Sequence, residues 1–336
     1  MSSVDVVITS YQYARFLEMS ALSVLKQDFA NIRLLIIDNA STDGSQDKAR
    51  TIAARDSRVT LFLNEQNRGH LDSYNRAVDW ASGDYFILLD ADDLLAPNSL
   101  ERAVAFLDEN PNVAFAYGCE GRLLGDQLDS GRSDPGTTHW QVTKGGTFIR
   151  RTCWDSFCDI GAPAVIRRTS AQKKAGHFRH NLPRTCDFEM YLRLAMIGDV
   201  ACTNRVQGIR RLHSQQMSSP FNQRPVRDFE EHERAFASFF ANEGSKLHDA
   251  AQLKSLARNK MGEYAFWYGV WQTIRLQPDA REAFQFSASR RSIHRHFPPI
   301  AFLWKRRWIR SLLRGARRLF GRRNKIATLN SSFSIR

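Results

Sequence analysis

Along the first hundred residues, short apolar runs alternate with stretches in which apolar residues recur at helical spacing. Residues 4–8 and 34–37 are compact apolar runs, each ended by small or acidic residues, Thr9 and Ser10 after the first and Asp38 after the second. Between them Phe16, Leu17, Leu22 and Leu25 recur at roughly the three- and four-residue intervals of one helix face. The turn-rich stretch Asp38-Asn39-Ala40-Ser41-Thr42-Asp43-Gly44 leads into a helical segment reaching about residue 55. The pattern then repeats, with a strand at 59–63, a helix over about 71–81 closed by Gly83, and a fourth apolar run at 86–89 that stops at Asp90. Strands alternating with helices of ten to fifteen residues predict βαβ units, a mostly parallel Rossmann-like sheet flanked by helices, and ligands at the carboxyl ends of the strands.

After about residue 118 this rhythm loosens. Residues 121–146 are rich in Gly, Ser, Thr and Asp, which predicts a long loop over a site. Order returns at 161–168 and 187–197, and 228–275 reads as helical, with Phe236, Phe239, Phe240, Tyr264, Phe266 and Trp267 among its apolar positions. The expected division is therefore a ligand-binding and catalytic domain over 1–218, a helical extension over 219–289, and a basic amphipathic segment over 290–336.

At 336 residues and 43% hydrophobic the chain can bury a sizeable core, which excludes disordered and fibrous classes. Its net charge of +13 is local, because residues 290–336 hold 14 basic and no acidic side chains, leaving 34 basic against 35 acidic in 1–289. A uniformly basic body is thus excluded, and no nucleic-acid partner is expected. The five cysteines form no Cys-x-x-Cys pair, so neither a disulfide framework nor a zinc ribbon is suggested. Neither a secretory leader nor a long enough apolar stretch to span a bilayer is apparent, so the expectation is a cytoplasmic protein.

Several common ways of holding a ligand are absent from the sequence. There is no Gly-x-Gly-x-x-Gly fingerprint, no Gly-Lys pair for a phosphate loop, and no Gly-x-Ser-x-Gly nucleophile elbow. The strongest chemical candidate is Asp90-Ala91-Asp92-Asp93 at the end of an apolar strand. Carboxylates crowded there repel one another unless a cation compensates, and Mg2+ or Mn2+ commonly bridges such groups to substrate phosphates. Capping of the next helix by Asp93 is the competing use. Asp38 likewise has two uses, an Asx-type turn or acceptance of hydrogen bonds from a nucleobase.

Taken together, these residues resemble the family 2 glycosyltransferases, whose donor domain has the glycosyltransferase-A-type fold. The resemblance runs through Val6-Val7-Ile8-Thr9-Ser10-Tyr11, Ile37-Asp38-Asn39-Ala40-Ser41-Thr42-Asp43-Gly44, Asn67-Arg68-Gly69 with Asn75, Gly83-Asp84-Tyr85 and Leu89-Asp90-Ala91-Asp92-Asp93. It implies that Thr9, Tyr11 and Asp38 hold the base, that Asn67 and Gly69 border the nucleotide, that Asp90 contacts ribose, and that Asp92 binds the metal on the diphosphate. Further along, Ile160-Gly161-Ala162-Pro163 with Ile166-Arg167-Arg168 resembles the family's acceptor-side loop, and the segment from Cys186 to Leu194 resembles its Glu-Asp helix start. The resemblance makes Asp187 the catalytic base, places Gly161 and Glu189 on the acceptor side, and brings His213, in Arg210-Arg211-Leu212-His213-Ser214, toward the metal. Cys186 departs from the pattern by replacing an acidic residue. Helix capping is the competing use of Asp187, and an ordinary structural histidine that of His213.

The implied activity is inverting, metal-dependent transfer from a nucleotide sugar, a UDP-sugar foremost, to a saccharide or lipid-linked acceptor in surface polysaccharide or glycolipid assembly. A non-catalytic nucleotide-sugar-binding or assembly subunit is the alternative. A sugar nucleotidyltransferase is a third, for which the usual Gly- and basic-rich phosphate segment near the N-terminus is missing. Residues 300–323 fit a helix with Trp304, Trp308, Leu312, Leu319 and Phe320 on one face and Arg306, Arg307, Arg310, Arg314, Arg317 and Arg318 on the other. Such a helix suits the surface of an anionic membrane, which implies a peripheral position on the inner face of the cell membrane. Docking of the apolar stripe on protein is the competing use.

Overall fold

A computed structural model describes residues 2–125, 127–130, 136–158, 160–216, 225–277 and 279–290. The basic segment read as 300–323, with its membrane partner, lies outside these residues. Two compact units are present, one spanning Met1–Lys254 and a second beginning at Ser255.

In the first unit the predicted alternation is realised as β1 (Val4–Ser10), α1 (Ala14–Leu25), β2 (Ile32–Asp38), α2 (Ser45–Arg55), β3 (Val59–Leu63), α3 (His70–Trp80) and β4 (Tyr85–Asp90). These four strands are all parallel and lie in the order β3-β2-β1-β4. The direction of winding reverses beside β1, so the ends of β1 and β4 open a crevice at the switch point. All seven residues of β1 are buried, because helices cover both faces of the sheet and each face needs apolar side chains. Val4, Val6 and Ile8 point into one core with Leu17, Ala21 and Val24 of α1 and Leu34 and Ile36 of β2. Each such side chain contributes about 1.5–3 kcal/mol on burial.

One buried residue of β1 is a carboxylate. Asp5 accepts two bonds from Arg33, at 2.7 and 2.6 Å, and one at 2.7 Å from each of the Ser82 and Gly83 amides. A side chain at Gly83 would press on Asp5 at 3.1 Å, which explains a glycine where α3 hands over to β4.

The remaining elements are β5 (Leu94–Leu95), α4 (Ser99–Glu109), β6 (Val113–Leu124), β7 (Gln127–Asp129), β8 (Trp140–Thr143), α5 (Gly145–Asp155), a 3-10 turn (Ala162–Ala164), β9 (Val165–Arg168), α6 (Thr169–Ala175), α7 (Cys186–Ala195) and β10 (Asp199–Arg211), followed by α8 (Pro225–Ala241). They extend the sheet to ten strands as β4-β9-β6-β10-β5, with β7 on β6 and β8 on β10. Here directions mix. β9 runs antiparallel between β4 and β6, whereas β6 and β10 are parallel. The parallel pattern therefore describes the first half of the sheet, and the second half is mixed.

The predicted loop over 121–146 is corrected by the structure. Its described residues include the end of β6, a hairpin through Gly125 at φ +58°, and the strands β7 and β8. All three residues of β7 are exposed, so their polarity reflects an exposed edge.

The second unit begins within α9 (Ala250–Ile274) and includes α10 (Ala280–Ala288), in which Ala283 and Phe286 are buried. Among the described residues no helix is long and apolar enough to cross a membrane.

Candidate active site

The loops after β1 and β2 are tied to each other before they meet any ligand. Ser41 Oγ accepts the Gln12 amide at 2.9 Å, Ser45 Oγ accepts the Tyr13 amide at 3.2 Å, and Asp43 accepts the Ala14 amide at 2.9 Å. Asp43 thereby satisfies a free amide at the start of α1, where a carboxylate also suits the helix dipole. Gln12 and Ala40 take left-handed conformations, φ +60° and +61°, to make these turns. The polar stretch after Asp38 is thus a brace between two strand ends.

Of the two expected uses of Asp38, the structure shows the turn. Its Oδ1 accepts the Ser41 amide at 2.8 Å, closing an Asx-type turn. Its Oδ2 is buried without a hydrogen-bond partner, an acceptor left over for a donor from outside the chain. Tyr11, by contrast, is exposed, while Thr9 is buried at the end of β1. Asn67 Oδ1 accepts the Asn39 side-chain amide at 2.7 Å and the Gly69 backbone amide at 2.9 Å, fixing the entrance to α3. Gly69 sits at φ +84°, a conformation that favours glycine.

The three carboxylates after β4 converge. One oxygen from each of Asp90, Asp92 and Asp93 lies within 4.8 Å of the others. Asp90 Oδ1 accepts Tyr74 Oη at 2.8 Å and Thr9 Oγ1 at 3.1 Å. Asp93 accepts the Arg211 amide at 3.0 Å, a bond to β10 that replaces the expected helix cap. Asp92 Oδ2 lies 3.0 Å from His213 Nε2, so the two residues expected around a metal are brought together from positions 121 apart in sequence. His213 Nδ1 is buried and unpartnered, and Tyr13 packs edge-on against the ring at 5.8 Å.

Electrostatically this cluster is under strain. Burial and the charge of Asp92 push the Asp90 carboxyl up to about 7, against the bonds from Tyr74 and Thr9. Asp93 is pushed well up by burial and then by Asp92 and Asp90. The same carboxylates, after burial, raise the Tyr13 hydroxyl. A hard divalent cation fits such an oxygen-rich set with one imidazole, since it removes the repulsion that raises these groups.

On the other side of the crevice, nine of the ten residues of α7 are buried and Asp187 is the exception. The helix begins after Thr185 with no side-chain cap, so hydrogen-bonded capping is not the task of Asp187. Burial raises its pKa, while Arg167, His70 and Arg184 oppose that shift. Its Oδ1 lies 3.5 Å from Arg167 Nη2. Gly161 lies against the Glu120 carboxylate, which would have to move to admit a Cβ there.

Glu189 departs from expectation. It is fully buried, with one oxygen bonded to Arg193 Nε at 2.8 Å and the other to Arg179, which also holds Glu243 at 2.7 Å. Both oxygens are taken, so Glu189 ties α7 to its surroundings and has no face left for an acceptor. Cys186 is buried beside Asp187, and its thiol is pushed well up by burial and then by that carboxylate. It behaves as a small neutral packing residue.

Residues 5–173, half of the chain, match the profile described as Glycosyl transferase family 2. The chain belongs to glycosyl transferase family 2. A similar protein is an uncharacterized glycosyltransferase of Haemophilus influenzae, 23% identical over 227 residues that cover 65% of this chain and 68% of that one. Another is the Escherichia coli UDP-Glc:alpha-D-GlcNAc-diphosphoundecaprenol beta-1,3-glucosyltransferase WfgD, 36% identical over 115 residues, 34% of this chain and 44% of WfgD. The match thus spans less than half of WfgD. Among solved structures, S. aureus TarS in complex with UDP-GlcNAc superposes with a TM-score of 0.63 at 17% identity, covering 86% of this chain and 81% of that one. The mannosyltransferase PcManGT of Pyrobaculum calidifontis, in complex with GDP-Man and Mn2+, superposes at 0.52 with 16% identity over 86% and 85%. At these identities the likeness is one of fold.

Four residues of this family 2 chain had no assigned role in its sequence and touch the site. Tyr74 on α3 bonds to Asp90, and Tyr13 before α1 packs against the His213 ring. Arg211 holds Asp93 through its amide and the Asp92 carbonyl through Nε at 3.1 Å. Arg167 faces Asp187. Arg211 and Arg167 stood inside quoted motifs, whereas Tyr74 carries no signal beyond its place on an amphipathic helix.

Proposed function

We propose that the chain is a metal-dependent, inverting glycosyltransferase that moves a sugar from a UDP-sugar to a hydroxyl of a saccharide or lipid-linked acceptor in surface polysaccharide or glycolipid assembly. The observation that carries this reading is the convergence of Asp90, Asp92 and Asp93 with His213 at the end of β4, in a chain of this family. Asp38, with one buried oxygen unpaired, is the acceptor for a base N–H, beside Thr9 and Tyr11. Asp90 takes the ribose, Asn67 and Gly69 shape the wall beside it, and Asp92 with His213 holds Mg2+ or Mn2+. When bound, that ion neutralises charge on the departing diphosphate. Asp187, the one partly open residue of α7, removes the proton of the acceptor hydroxyl as it attacks, with Gly161 leaving room on the acceptor side. One base and no enzyme nucleophile suit a single displacement, hence inversion. The UDP donor and lipid-linked acceptor are supported by the name of WfgD, and the donor also by TarS with UDP-GlcNAc.

The test is thermal melting of wild type and Asp92→Ala against a panel of nucleoside diphosphates, with and without Mn2+. The expected outcome is a rise in Tm with UDP that needs Mn2+ and disappears in Asp92→Ala. No rise with any nucleotide would overturn the donor site.

A cytoplasmic position, peripheral on the inner face of the membrane, follows from the amphipathic sequence at 300–323. Full-length protein is expected to float with anionic liposomes at low salt, and to release as salt rises. Failure to float would remove the membrane partner.

A further inference from the structure

Two consecutive arginines of β9 meet opposite fates. Arg168 gives Nε to the Val113 carbonyl at 2.8 Å and Nη2 to the carbonyls of Leu107 and Asn110 at 2.5 and 2.9 Å, so its charge closes the C-terminal end of α4. Arg167 points to the other face of the sheet and is fully buried. None of its three side-chain nitrogens finds a hydrogen-bond partner among the described residues. Its guanidinium carbon lies 5.7, 5.9 and 6.0 Å from the ring centres of Tyr191, Phe86 and Phe178.

A guanidinium is a cation with five N–H donors and no acceptor, so a buried one calls for a compensating group. Burying an ion is costly even after relaxation, and ring faces at these distances return only part of that cost. An apolar side chain of similar length would fill the space without that penalty. What offsets it is the Asp187 carboxylate, whose Oδ1 is itself buried and unbonded and lies 3.5 Å from Nη2.

We propose that Arg167 is a positioning residue for Asp187, a permanent buried cation that anchors Oδ1, keeps the carboxylate ionised and leaves Oδ2 for the acceptor hydroxyl. The inference rests on the assignment of Asp187 as the base. The other groups around Asp187 are His70 and Tyr74 from α3, Arg184 before α7, Asp90 from β4, and Cys186 and Tyr191 from α7 itself. Of the three cations, His70 is partly exposed and loses its charge on titration, and Arg184 is also partly exposed. Arg167 is shielded from solvent and permanent, so its influence is screened least.

The test is a pH titration of full-length protein carrying 13C-carboxyl aspartate, followed by NMR, with Asp187 assigned by the resonance missing from Asp187→Asn. In Arg167→Met the Asp187 midpoint is expected to rise by at least about one unit, a tenfold loss of ionised form on the acid side. Arg167→Lys is expected to recover at least half of that shift. An unmoved midpoint in folded Arg167→Met overturns the proposal. Should Arg167→Met fail to fold, the double variant Arg167→Met/Asp187→Asn decides: its folding supports the coupling, and its failure assigns Arg167 to packing alone. Turnover of UDP-GlcNAc by Asp187→Asn separates the two ideas, because full turnover there removes the base while leaving the titration of the pair intact.

Discussion

Two carboxylate sites flank the same crevice and resolve the same problem by different means. At the end of β4, Asp90, Asp92 and Asp93 crowd together, the nearby Arg211 guanidinium being bonded to the Asp92 carbonyl rather than to a carboxylate, and Asp90 and Asp93 are driven toward protonation. At the start of α7, Asp187 is also raised by burial but is faced by Arg167, a cation the fold itself supplies. The first arrangement suits a partner that arrives and leaves, because the charge that relieves it comes from outside. The second suits a group that must be ready before the acceptor binds. The proposed donor and acceptor sides thus differ in whether compensation is exchangeable or built in.

The variant with the largest expected effect separates the two sites. Asp187→Asn keeps the shape of α7 and is expected to lower turnover by about 10²–10⁴-fold, the usual contribution of a general base. The Mn2+-dependent rise in Tm with UDP should remain, because the groups proposed to hold the nucleotide lie at the ends of β1, β2 and β4. Loss of both together would show that the two sites are one electrostatic unit and would break the comparison.

The same division explains what could be read from the chain. The donor side was legible because parallel strands buried on both faces give uninterrupted apolar runs, and the first polar residue after each run, Thr9, Asp38 or Asp90, marks an edge position directly. The acceptor side is assembled from distant segments whose sequences carry other signals. β9 is a four-residue strand half made of arginine, and neither its antiparallel insertion nor the burial of Arg167 follows from that composition. β7 reads as loop because an exposed strand needs no apolar side chains. Glu189 looked like part of the acceptor surface because nothing local shows that Arg179, Arg193 and Glu243 close around it. A motif does not by itself show what its residues do: Ser41 and Asp43 belong to a quoted motif, yet with the following Ser45 they brace the loops after β1 and β2.

A smaller effect sharpens the comparison from the donor side. Asp90 has an ordinary pKa near 3.8 and sits at about 7 in the fold, with Asp93 raised in the same direction. Between those values the folded chain binds more protons than the unfolded one, so stability is greatest at the acid end of the window and falls as pH rises toward 7. One fully engaged group gives a slope of about 1.4 kcal/mol per pH unit, and a coupled pair shares its steps. A bound divalent cation favours the ionised carboxylates, lowers these pKa values and should cancel the slope. The expected result is that Tm in EDTA declines across about pH 4–7 relative to Tm in saturating Mn2+, so that the two curves diverge by a few degrees at neutral pH. Because other titrating groups contribute equally to both curves, the difference isolates the cluster. Asp187, whose facing cation Arg167 is not removed by EDTA, enters this difference only through its charge on Asp90. Parallel curves would mean that the cluster is not relieved by an exchangeable ion, and the contrast between the two sides of the crevice would fall with it.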